Sequence, residues 1–161
     1  MDIKFVIHAI RQKQFFLFYF LSTTFVYADL IKPSSYLKPL EVLSIQLNSL
    51  KNNNNPYKDA GIEQAWEFAH PNNKIYTGPL KKFKKMLYSD NYKILISHKN
   101  TKTKIVQESP NKFVFKVNVL SRDKKKYYYI WQIEKVKREG KLKDCWMTTG
   151  VSNPIYLGET I

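Results

Sequence analysis

The chain has 161 residues, a formal net charge of +14 and a single cysteine. That length suits one domain, and one thiol cannot close an intramolecular disulfide, so a disulfide-stapled scaffold is excluded. Five glycines, none clustered, exclude a typical glycine-rich phosphate loop.

Lys4, Arg11 and Lys13 precede a mostly apolar run from Phe15 to Ala28. A basic leader, an apolar core and small or permissive residues at its end read as a secretory signal peptide over residues 1–28. This places the mature protein in the periplasm or outside the cell. A retained membrane anchor is the alternative, although the run is shorter than the ~20 residues of a spanning helix. Residues 29–38, with Pro33 and two serines, read as a linker.

The first helix is predicted from Pro39, where Leu40, Leu43, Leu47 and Leu50 recur at three- and four-residue steps. Four consecutive asparagines then favour a turn. Asp59 is a candidate cap for a second helix, in which Ile62, Ala65, Trp66 and Ala69 form one apolar stripe. Pro71 stops it, which makes His70 a helix-end residue. Residues 72–76 are expected as a short strand or bend. Thr77 is a second candidate cap, with a third helix from about Pro79 to Tyr88 and an apolar stripe of Leu80, Phe83 and Leu87.

After Asp90 the period changes to two. Tyr92, Ile94 and Ile96 suggest a strand that leaves His98 in a loop at its end, and 102–108 is a weaker candidate. Phe113, Phe115, Val117 and Val119 alternate with polar residues in a half-buried strand. Tyr127, Tyr129, Trp131 and Ile133 mark another, and 142–149 a last one, with 153–161 as a tail. The expected class is α+β: three N-terminal helices packed on a curved antiparallel sheet of four to six strands, over residues 39–152.

Four blocks then carry a resemblance: Pro39–Leu50, Asp59–Pro71, Thr77–Met86 and Asp144-Cys-Trp-Met-Thr-Thr-Gly-Val151. Together they resemble a bacterial and plant family described as domain of unknown function 4864, which looks like the nuclear-transport-factor-like, ketosteroid-isomerase-like cone fold. The resemblance covers roughly residues 38–152 and implies no activity and no catalytic residues. It departs in one place. The glycine-rich turn before the final strand is reduced to Gly140, followed by Lys141-Leu-Lys-Asp144. The resemblance also implies, by analogy, a homodimer paired through the sheet.

A cone offers one place for a site, the hollow between sheet and helices. Candidate lining residues are Trp66, Phe83, Phe115, Tyr129, Trp131 and Trp146; the competing reading is that they are core. The candidate polar groups are His70, His98 and Asp144, with Gln46 beside them and Tyr128 or Tyr129 as hydroxyl donors. Nothing in their spacing makes them converge, and catalysis by an isomerase-like base would require that. Metal-ligand spacing is absent and no cofactor is implied. Cys145 reads as a buried thiol, or else as an intermolecular bridge or reactive thiolate.

Of the 27 basic residues all but Arg11, Arg122 and Arg138 are lysine. The planar fork favoured in nucleic-acid sites is nearly absent, which argues against specific nucleic-acid reading. The lysines are then a solvated, compositionally biased surface, or a face for an anionic membrane or envelope. The leading functional expectation is an exported, non-catalytic domain that binds a small apolar ligand or a protein partner. The runner-up is a small isomerase, dehydratase or hydrolase using His98 or Asp144, and a third reading is a lysine-rich surface-binding module.

Overall fold

The computed structural model describes residues 29–159, so the predicted leader over 1–28 lies outside the described residues. The order is four α-helices, a short 3-10 turn and five strands. The class is α+β with an open, all-antiparallel sheet. Among the described residues no helix is long and apolar enough to cross a membrane.

Helix α1 (Pro39–Lys51) has Pro39 at its first position, and Lys38 N–H donates to Glu41 Oε2 at 2.7 Å. The predicted stripe is buried at Leu43, Leu47 and Leu50, whereas Leu40 faces water and Val42 takes its place. Helix α2 (Ala60–Glu67) starts differently from expectation. Asp59 is left-handed, with φ 66, and its side chain caps nothing. The cap comes from within the asparagine run: the buried Asn53 accepts Ile62 N–H on Oδ1 at 3.0 Å and Gly61 N–H on its carbonyl at 2.9 Å. Asp59 instead accepts a short hydrogen bond from the Tyr88 hydroxyl and lies 3.7 Å from Lys84 Nζ. Lys84 also bonds Glu63 at 2.8 Å, so helix α4 (Leu80–Leu87) is tied to α2.

Residues 72–76, expected as a strand or bend, lie in helix α3 (Pro71–Thr77), so among the described residues there are four α-helices rather than three. Pro71 opens this helix rather than merely ending the previous one. His70 is its N-cap, and Thr77 lies at its end, donating to Asn73 O at 3.0 Å. Tyr92–Ile96 is likewise not a strand: Lys93–Leu95 is a 3-10 turn that buries Leu95. Isolated alternation over five residues cannot overrule burial of the out-of-phase leucine.

The strands are β1 (Asn100–Ser109), β2 (Lys112–Leu120), β3 (Lys125–Lys135), β4 (Trp146–Val151) and β5 (Ile155–Glu159). The path is β1-β2-β3-β4, and β5, in the stretch expected as a tail, pairs with the first half of β3 while β4 pairs with the second. The β2–β3 register sets Phe115 against Trp131 and Val117 against Tyr129. These four and Ile133 are buried against the helices. Opposite faces follow from the two-residue period, so Lys116, Asn118, Tyr128 and Ile130 lie on the outer face.

Glycine is required at one interhelical contact. A Cβ on Gly61 would lie 2.0 Å from Ser49 O, where α1 and α2 cross. Gly61→Ala is therefore expected to lower stability by roughly 3 kcal/mol or more, as overpacking against backbone does, in urea melts. The Tyr88 hydrogen bond holds the Asp59 carboxyl below its usual value, opposed by burial and helped by Asn53 and Lys84. A depressed folded-state pKa gives stability that is present above the ordinary carboxylate range and lost as pH falls through the folded value. Asp59→Asn, which tolerates the left-handed backbone, should flatten the stability-versus-pH curve between about pH 5 and pH 2. Equal slopes for the two proteins would contradict the coupling.

Candidate functional site

Between the helices and the β3–β4 half of the sheet lies a cavity of about 170 Å³. Its room comes from small residues where large ones would fit: Ala65 on α2, Ala69 just past its end, and Gly150 on β4. Phe83, Met86 and Leu87 of α4 close one side, and Tyr92 and Leu95 of the 3-10 turn another.

Its polar wall is built around Thr148. Thr148 N–H donates to Phe68 O and Thr148 O accepts His70 N–H, both at 2.8 Å, which splices the end of α2 to β4 beside Ala69. Asn73 Nδ2 also donates to Thr148 O, at 3.2 Å. The side chain continues the network inward. Trp131 Nε1 donates to Thr148 Oγ1 at 2.9 Å, Thr148 Oγ1 donates to Gln46 Oε1 at 2.6 Å, and Gln46 Nε2 donates to Ala65 O at 2.9 Å.

The direction of this chain is fixed by its ends. An indole N–H can only donate and a carbonyl can only accept, so the hydroxyl proton must point to Gln46 and the amide must face Ala65. Gln46 and Thr148 are almost fully buried, and their partners satisfy them. The cavity wall is consequently neutral. It contains no carboxylate, imidazole, thiol or amine; its one ionisable group is Tyr92, whose hydroxyl donates to Val151 O at 3.1 Å and whose pKa is pushed up by burial. A charged guest would lose its hydration without a partner. What remains free for a guest is hydrogen-bonding capacity on the Gln46 and Asn73 amides beside an apolar surface.

Of the residues singled out from sequence, Phe83, Trp131 and Gln46 line this cavity. Phe115 and Tyr129 are wholly buried core, the latter donating its hydroxyl to Asn91 O at 2.8 Å. Trp146 packs edge-on against Phe113, with ring centroids 5.3 Å apart. Trp66 is half-buried outside the cavity with Lys74 Nζ 3.7 Å above its ring, and its Nε1 is buried without a hydrogen-bond partner.

The polar candidates do not converge. His70 is buried at the start of α3, where Nδ1 accepts Asn72 N–H at 3.1 Å; burial lowers its pKa, against a weaker pull from Glu134. It is a helix N-cap, not the C-terminal residue expected. His98 is buried with Nδ1 2.8 Å from Leu95 O, away from the cavity wall, and burial lowers its pKa too. Asp144 is an exposed turn residue at φ 62. Cys145 is free and buried, and burial raises its thiol pKa, which is the inert environment rather than the reactive one. Among the described residues no group of three His, Cys, Asp or Glu is placed to hold a metal ion.

Sequence reasoning missed Thr148 and Asn73. Inward alternation of Trp146 and Thr148 was an available signal, since a polar residue in phase with core residues needs partners. Asn73 had none, because its segment was not read as a helix. No family model matches the chain, and no characterised protein or solved structure does either.

Thr148→Val would strand the Trp131 indole and the Gln46 carbonyl inside the protein. The expected loss is about 2–4 kcal/mol in denaturant melts. Thr148→Ser, which keeps the hydroxyl, should lose less than half of that; equal losses would show that the methyl group, not the hydrogen bonds, matters there.

Proposed function

We propose that this chain is an exported, non-catalytic accessory domain on a cone-like fold of the kind its sequence resembles, and that it holds a small, uncharged, largely apolar ligand between its helices and sheet. The observation that carries this reading is the 170 Å³ cavity with its neutral wall around Gln46, Thr148 and Trp131. Apolar cavities of about 150 Å³ stay dry and take up guests of benzene size. A single ring or a short chain with one hydroxyl or carbonyl fits that volume, and a fused-ring steroid does not.

The isomerase or hydrolase reading needs a base at the cavity. His98 and Asp144, the residues it would use, stand away from the wall, and the neutral hydrogen-bonded chain has no proton to exchange at ordinary pH.

Phenol and benzoate, equal in ring size, the one neutral and the other anionic at neutral pH, test the reading. Phenol should raise the melting temperature and shift the Trp131 indole resonance, whereas benzoate should do neither. Ala65→Leu, which fills the space, should abolish the phenol effect while the protein stays folded. Equal responses to both compounds, or a phenol response unchanged in the filled variant, would overturn the assignment.

A further inference from the structure

We propose that the outer face of the sheet, at the end where β1, β2, β3 and β5 run side by side, docks onto an anionic bilayer surface. The register places three rows there. Lys102, Asn118, Tyr128 and Ile155 form one; Lys104, Lys116 and Ile130 a second; Leu120, Lys126 and Gly158 a third. Four lysines therefore share one open face. None of the four is in an ion pair with a carboxylate among the described residues. No Asp or Glu occurs in these rows; Glu159 pairs with Lys125, one residue on, and so belongs to the other face.

The lysines adjoin an apolar surface. Leu120 and Leu157 line a shallow trough of about 390 Å³ bordered by Lys102 and Lys126. Ile155 is 48% and Leu157 51% exposed. Exposed aliphatic groups beside unpaired ammoniums match the boundary between lipid headgroups and acyl chains, where lysine acts as a point charge and its stem lies along apolar surface.

Two other occupants fit less well. A single-stranded nucleic acid needs aromatic rings on which to stack bases. The aromatic ring in these rows, Tyr128, already carries Lys116 Nζ 4.1 Å from its centroid. A second copy of this chain, paired face to face, would bring the same four unpaired cations against one another.

Co-sedimentation of the full-length chain with vesicles of phosphatidylcholine, with and without phosphatidylglycerol, tests this. Each lysine near such a surface is worth roughly fivefold, so Lys→Gln at 102, 104, 116 and 126 together should weaken binding to the anionic vesicles by about a hundredfold or more. Lys→Gln at 81, 82, 85 and 141 removes the same charge elsewhere and should weaken it less than tenfold. A triple variant that leaves Lys116 on its ring guards against a folding defect and should lie between wild type and the quadruple. Raising the salt from about 0.1 M to about 1 M should release the wild-type chain. Any one of four results overturns the proposal: equal loss in the two quadruple variants, equal binding to neutral vesicles, binding insensitive to salt, or tighter binding to a single-stranded oligonucleotide than to the anionic vesicles.

Discussion

Thr148 is the residue through which helices and sheet become one body. Its amide and carbonyl take up Phe68 O and His70 N–H, which fixes where the second helix ends against the fourth strand. Its hydroxyl links Trp131, deep on β3, to Gln46 on α1. A strand residue that spends its backbone on a helix terminus and its side chain on two core partners constrains three elements at once. Buried networks of this kind are worth having only when every member is satisfied, and here the indole at one end and the carbonyl at the other close the chain without a charge.

That neutrality shapes what the interior can do. The protein carries a large positive charge, yet none of it reaches the cavity. Lysines sit on the helices, on the sheet's outer face and in the loops, while the cavity wall has two side-chain amides, the hydroxyls of Thr77, Tyr92 and Thr148, a tryptophan and apolar groups. The polarity is separated by the sheet: one face buries Phe115, Val117, Tyr129 and Trp131, and the other exposes lysine beside isoleucine and leucine. The two proposed kinds of recognition, for a small neutral guest and for an extended anionic surface, would then lie on opposite sides of the same strands.

The loop between the first two helices shows how local signals were partly misread. An asparagine run was correctly a helix stop, but Asn53 also turns inward and caps the next helix in place of Asp59. Cap preference ranks both residue types alike, and only the crossing of α1 over α2 at Gly61 brings Asn53 to the free amides. His70 was misread for a related reason. A histidine before proline fits the end of one helix and the start of another equally well, and here His70 is held by its N–H donating to Thr148 O and its Nδ1 accepting Asn72 N–H, both set by the tertiary fold and the helix that follows. Tyr92–Ile96 had strand-like alternation, but Leu95, the residue out of phase, is the one buried.

The sequence by itself determined the α+β order, the first and fourth helices to within a residue or so, the second to within three residues at its end, and the inward faces of β2 and β3, because period and turn chemistry are local properties of the chain. It also determined that charge would lie on lysine. Only the tertiary structure decided that a seven-residue helix and a terminal strand form, and that Gln46, Asn73, Trp131 and Thr148 meet around an empty space. The physical reason is range. Gln46 and Thr148 are separated by 102 positions, and a hydrogen bond between such residues is set by how helices and strands pack, which no local pattern records.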